Sequence, residues 1–147
     1  MEQIYPYVQI VHLICAIIFL GYIFFDVVIF MRLKGALGAD FERIKKAIGS
    51  RAIKIMPVCL FTLIITGGMM MSRWVGSANG GYFGTPLQKI FMLKVTLALI
   101  VAVCVAINLS CRAMGRPASE FLRANIHKIA FVFGFIIVLC AKLMFVV

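Results

Sequence analysis

A chain of 147 residues that is 64% hydrophobic and 14% charged carries more apolar side chains than a water-soluble domain of that length, which runs at about 45–50% apolar. Its formal net charge of +10 is not gathered into a folded basic module, which argues against nucleic-acid binding and for contact with anionic lipid. Five cysteines (15, 59, 104, 111 and 140) without a CxxC pair argue against a disulfide framework.

Four apolar runs, at about 8–31, 52–72, 88–111 and 124–146, can each cross a hydrocarbon layer of about 30 Å, which takes roughly 20 helical residues. They leave nothing for a soluble domain. The expected fold is all-α: one integral membrane four-helix bundle spanning residues 1–147. The first run is read as a span rather than a cleaved leader. Glu2 stands where a basic flank would be, the apolar core is too long, and no small-residue cleavage site follows.

Pro6 suits the first turn of the first helix, with Tyr5 and Tyr7 as interfacial anchors. Gly35, Gly38 and Asp40 are expected to break the chain after Met31. Phe41, Ile44 and Ile48 then recur at helical spacing among charged residues, with Gly49 as a stop. That pattern predicts a short amphipathic cytoplasmic helix at about 41–48. The second span contains Pro57, expected to kink it, and ends in Gly67-Gly68-Met69-Met70-Met71. Trp74 marks the outer interface, before a loop with Gly76, Gly80, Gly81 and Gly84 that is expected to be mobile. Thr85-Pro86-Leu87-Gln88 reads as a capping box opening the third helix. Gly115, Pro117 and Ser119 make the last turn, and the fourth helix begins near Glu120.

Charge sets the expected orientation. Arg32, Lys34, Arg43, Lys45, Lys46, Arg51 and Lys54 crowd the first link, and Arg112, Arg116, Arg123 and Lys128 the third. The middle link has only Arg73 and Lys89. By the positive-inside rule the two rich links are cytoplasmic, and both termini face outward.

Ionisable groups inside a span cost several kcal/mol, so each is a functional candidate. In the first helix His12 and Asp26 are fourteen residues apart; in the third, so are Lys94 and Asn108. Fourteen residues return within roughly 40° of the same helix face after about 21 Å of rise. Two polar layers are therefore expected. The outer collects His12, Cys15, Met69, Met70, Met71, Met92, Lys94, Cys140 and Lys142; the inner collects Asp26, Lys54, Asn108, Asn125 and His127. Asp26 is expected to neutralise Lys54 or a protonated His127. His12 and His127 should differ in depth by about 20 Å, so they cannot ligate one haem iron together.

Singly, each outer residue has a plainer reading. His12 can be a hydrogen-bonded packing residue, the methionines lipid-facing filler, and the two lysines can snorkel to headgroups. Together, imidazole, soft sulfur and ammonium groups describe two guests. Copper(I) favours Cys, Met and His, but neighbouring lysines would repel it. Haem b fits the full set: apolar walls from Phe19, Phe24, Phe25 and Phe91, His12 as axial ligand alone or with Met92, one of Met69 to Met71 or a lysine as second ligand, and Lys94 and Lys142 for the carboxylates.

The same residues resemble a superfamily. His12-Leu13 followed by Phe19-Leu20-Gly21 is similar to the first helix of copper-resistance protein D (CopD) and of HemJ-type protoporphyrinogen oxidase. Arg51, Pro57, Thr62 and Thr66-Gly67-Gly68 resemble their second helix. Met92-Leu93-Lys94-Val95-Thr96-Leu97 with Asn108 resembles the third, and Phe121 to Lys142 with Asn125 the last. The chain departs from the HemJ pattern where Phe19-Leu20 stands for a Trp-Phe pair and Met92 for a histidine.

The resemblance implies a four-helix inner-membrane protein, often oligomeric, working either in copper uptake and tolerance or in haem-dependent porphyrinogen oxidation. The leading expectation is a b-type haem or porphyrin-binding redox protein. If it is an enzyme, His12 and Lys94 are its catalytic candidates, and electrons pass from a porphyrinogen-like donor toward quinone. A copper(I) carrier using His12, Cys15, Met69 to Met71, Met92 and Cys140 is the alternative. A non-catalytic accessory subunit is the third.

Overall fold

The computed structural model describes residues 3–77, 80–116 and 119–146. Glu2 and Pro117 lie outside them. Among the described residues, four helices are long and apolar enough to cross a membrane, at Tyr5–Leu37, Asp40–Trp74, Pro86–Cys111 and Ala124–Leu143. They mark the chain as a multi-pass membrane protein. Their outward residues say why: Ile10, Ile14 and Ile17, then Val58, Phe61 and Ile65, then Leu99 and Val103, then Val132, Phe135 and Val138 are all exposed. Apolar faces that large are not sustained in water.

The chain forms two compact units, Met1–Met71 and Ser72–Val147. In the first, α1 (Tyr5–Phe24) carries proline in its opening turn. It runs into a π-helical turn at Phe25–Ile29, a 3₁₀ turn at Phe30–Leu33 and a last turn of α-helix, α2 (Lys34–Leu37). The Phe30 N–H bonds back to the carbonyls of both Asp26 and Phe25, the longer reach that defines a π turn. Gly38, at φ +52°, then turns the chain, a conformation that glycine adopts without a Cβ penalty.

From there α3 (Asp40–Trp74) is one helix of 35 residues. This corrects the expected boundary. Residues 41–48 are the opening turns of α3 rather than a separate surface helix, and Gly49 sits inside it. A single interior glycine costs only about 0.5–1 kcal/mol, and Phe41 is held by packing: it is buried and stacked on Phe30 with ring centroids 5.0 Å apart. At 1.5 Å per residue α3 is roughly 50 Å long, well beyond a bilayer core of about 30 Å. Its charged opening third can stand clear of the hydrocarbon while the rest spans it. The helix is continuous through Pro57, and Gly35 likewise breaks nothing; the one break is at Gly38.

Contacts within this hairpin share a register. His12 meets Thr66 and Phe30 meets Phe41. As the number rises along the first run it falls along α3, so the two are antiparallel. Val8, Phe19, Ile23, Asp26 and Phe30 are buried, with His12 and Cys15 half-buried between them. These positions alternate by three and four, the spacing of a helix–helix seam. Phe41, Ala52, Cys59 and Thr66 are the buried residues of α3 and form the facing seam.

In the second unit α4 (Pro86–Ala113) packs against α5 (Glu120–Leu143). The capping box is formed. Thr85 Oγ1 accepts from the Gln88 N–H at 3.2 Å, and Gln88 Oε1 accepts from the Thr85 N–H at 3.2 Å and the Gly84 N–H at 2.9 Å. Gly76 and Gly81 exchange two backbone hydrogen bonds of 3.1 and 2.9 Å, both at positive φ. Trp74 packs edge-on against Phe145 at 5.5 Å. Gly115, at φ +65°, ends α4, with the Arg116 N–H returning to the Cys111 carbonyl at 2.9 Å.

Candidate functional site

His12 is placed by the α1 seam. One turn before it is Val8 and one turn after it Cys15, so the ring is directed at α3 rather than at lipid. Its Nδ1 lies 2.8 Å from Thr66 Oγ1. The Thr66 hydroxyl donates its one proton to the Thr62 carbonyl, 2.6 Å away. With that proton committed, Thr66 accepts a hydrogen bond from the imidazole, which places an N–H on Nδ1. A histidine so held, with its outer nitrogen donating to a second residue, is the arrangement that orients a metal-binding imidazole.

Gly67 completes the cradle. A Cβ at that position would stand 3.5 Å from His12 Cε1 and 4.0 Å from Nδ1. The helix backbone and the ring thus pass at van der Waals distance, and only small residues fit between them.

The first hairpin also holds two free thiols, the half-buried Cys15 and Cys59, 7% exposed on the α3 seam. Sequence reasoning singled out Cys15 but not Cys59. The signal was present: Cys59 and Thr66 are seven residues apart, so they share a face of α3.

In the second unit the candidate is Lys94. Its Nζ sits 4.8 Å from the centroid of the Phe91 ring, one turn earlier on α4, in a cation–π contact. Cys140 of α5, itself buried, is within electrostatic reach of the ammonium. Met92 is two residues from Lys94, and two residues are about 200° around a helix. The two side chains leave α4 on nearly opposite sides, so they do not line one pocket wall. Lys142, two residues from Cys140, is exposed on α5 and off the seam that Cys140 occupies.

The expected outer layer thus divides between the units. His12, Cys15, Met69, Met70 and Met71 belong to the first, with Met70 and Met71 half-buried and Met69 exposed; Met92, Lys94, Cys140 and Lys142 belong to the second. The inner layer divides likewise. Asp26 is buried in the π turn of the first unit, where Lys54 is exposed, while Asn108 and His127 are half-buried in the second. Asn125 donates to the Phe121 carbonyl of its own helix at 3.0 Å. Among the described residues, no three His, Cys, Asp or Glu side chains converge to hold a metal ion.

What these residues define is an all-helical, multi-pass membrane protein with a hydrogen-bonded histidine inside its first hairpin and a half-buried lysine inside its second. Compared with protein-family models, curated proteins and solved structures, the chain matches none.

Proposed function

We propose that the protein is a b-type haem or porphyrin-binding redox protein of the CopD/HemJ-like kind, in the bacterial inner membrane with both termini on the periplasmic side. The observation that carries this reading is the hydrogen bond between His12 Nδ1 and Thr66, the kind of bond that orients a ligating imidazole; Nε2 is the nitrogen this reading assigns to the ligand role. The residues of the first hairpin fit an axial-ligand role: the imidazole is half-buried, its tautomer is set by a neighbour, and Gly67 gives its ring room.

Haem, when bound, supplies one-electron transfer at its iron. The chain supplies the rest. His12 would hold the iron through Nε2, with Thr66 holding the Nδ1 proton and making the ring a better donor. Lys94 is the cation this reading assigns to a porphyrin carboxylate, since an ammonium among apolar side chains is best matched by one. Met92, on the other side of α4, is the weaker candidate for the same guest. If the chain is an enzyme, it moves electrons or hydrogen from a porphyrinogen-like donor toward a membrane quinone.

The test is a haemin titration of the reduced, detergent-purified chain. The reading expects a Soret band distinct from that of free haemin, saturating at one equivalent. A spectrum identical to free haemin at all ratios overturns it. Stoichiometric copper without such a band would favour the copper reading, and a co-purifying protein with neither would favour an accessory subunit.

A further inference from the structure

α3 is longer than a membrane requires, and its surplus lies at one end. Its charge-free run, residues 55–72, is bounded by Lys54 and Arg73 and is roughly 27 Å long, close to the hydrocarbon thickness of about 30 Å. The first run agrees. The His12–Thr66 bond sets Tyr5 level with Arg73, each seven residues further out. About 30 Å inward is roughly 20 helical residues. There the first Asp, Glu, Lys or Arg that each helix meets are Asp26 and Lys54. Residues 26–53 therefore form a helical tip outside the hydrocarbon, on the side away from Tyr5.

The tip is held stiff. Phe25, Phe30 and Phe41 stack in series, with centroids 6.2 and 5.0 Å apart, and tie its two arms together. Its cations are not spread evenly. Phe41, Ala52, Cys59 and Thr66 are the buried seam of α3. At about 100° per residue, Arg43, Lys46 and Lys54 leave the helix roughly opposite that seam, with Arg51 beside them. All four are exposed, as are the small residues Ala47 and Ser50 between them. The Ser50 hydroxyl donates to the Ala47 carbonyl at 2.7 Å, so nothing bulky stands on the stripe's midline.

Arg43 pairs with Asp40 at 3.4 Å, both well exposed. Lys46, Arg51 and Lys54 have no acidic partner among the described residues. Like charges three apart on a helix oppose each other, and Arg43 with Lys46 and Arg51 with Lys54 are two such pairs. An anionic surface laid along the stripe offsets both. Depth decides which surface. Headgroups occupy about 5–7 Å on each side of the hydrocarbon, which takes in Lys54 and Arg51. Lys46 and Arg43 are seven and ten residues beyond Ile53, roughly 10 and 15 Å further out, past the reach of a lipid phosphate.

We propose that the stripe Arg43, Lys46, Arg51 and Lys54 is a docking surface for an acidic helical segment of a soluble protein, on the cytoplasmic side in the proposed orientation. Carboxylates along one face of that segment pair with the four cations, and Ala47 and Ser50 let its backbone come close. The surface lies wholly within the first compact unit and makes no use of His12 or of haem.

The test places the full-length chain in nanodiscs of phosphatidylcholine, where both faces are open to solution. The probe is a fluorescein-labelled helical peptide of glutamate and alanine, with a glutamine-for-glutamate peptide as control. The glutamate peptide should bind saturably, one per chain, and the glutamine peptide should not. Arg43→Glu with Lys46→Glu should weaken binding by about tenfold or more, and a lysine-for-glutamate peptide should bind that variant instead. Lys34→Glu, a like charge change on the other arm, should leave binding within about twofold. Arg43→Gln with Lys46→Gln serves if the reversed pair does not fold. Depth is read from Ala47→Trp in a Trp74→Phe background, with and without phosphatidylglycerol. Its fluorescence should be quenched by aqueous acrylamide and not by brominated acyl chains. The proposal is overturned if the glutamate peptide does not saturate, if both the Glu and Gln pairs bind it like wild type, or if Lys34→Glu weakens it as much. Quenching by brominated chains equally overturns it and assigns the stripe to the membrane surface.

Discussion

The imidazole of His12 donates from Nδ1 to the hydroxyl of Thr66, 2.8 Å away, and that hydroxyl donates to the Thr62 carbonyl at 2.6 Å. The relay runs in one direction, so the state of the histidine is set by a backbone carbonyl one turn down the neighbouring helix. Replacing Thr66 by valine keeps its shape and removes the acceptor. Outer-shell partners of metal-binding histidines are typically worth about 10–100-fold in affinity, so haemin affinity of Thr66→Val should fall by roughly that factor. Thr66→Ser should stay near wild type. Soret titrations of the three proteins, run in parallel, decide it.

Gly67 gives a graded probe of the same ring. The 3.5 Å gap to His12 Cε1 is ordinary contact distance for a methyl group, so Gly67→Ala should fold and bind haemin like wild type. Gly67→Leu overfills the gap, and overpacking costs about 1–3 kcal/mol. Its midpoint of thermal unfolding in detergent should drop and its Soret band should weaken. Equal behaviour of the two variants would show that the ring does not lie against this turn.

The cap on α4 is testable without any ligand. Gln88 Oε1 satisfies two N–H groups ahead of the helix, and losing a cap costs about 0.5–2 kcal/mol. Gln88→Ala should lower the unfolding midpoint and expose residues 80–85 to protease. Gln88→Glu keeps the acceptor and should do neither.

Orientation has its own check. On the proposed orientation, alkaline phosphatase fused after the last residue should be active in a bacterial host, and the same reporter inserted at Ser50 should be inactive. The opposite pattern would reverse the assigned topology.

The spans were legible because their signal is thermodynamic: a run long and apolar enough for a membrane declares itself residue by residue. Pro6, the Thr85–Gln88 box and the start near Glu120 were legible for a local reason, since each acts within one helical turn. The continuity of α3 was not. Gly49 looks like a stop, but the stack of Phe41 on Phe30 that holds the opening turns of α3 joins residues eleven apart across a turn. The π turn at Phe25–Ile29 has no sequence mark that we can identify. At the site, the chemistry of His12 was legible and its partner was not. Thr66 reads as an ordinary membrane-helix threonine until the antiparallel register puts it opposite the imidazole. Met92 and Lys94 show the reverse error: neighbours in sequence were grouped as one site, though two steps along a helix turn a side chain to the other side.

The most direct measurement is a haemin titration of His12→Gly with and without free imidazole. The account predicts that the variant loses the Soret band of the wild type and regains it when imidazole enters the vacated space and takes the ligand position. A His12→Gly protein that binds haemin with the wild-type spectrum and affinity, in the absence of imidazole, would contradict it.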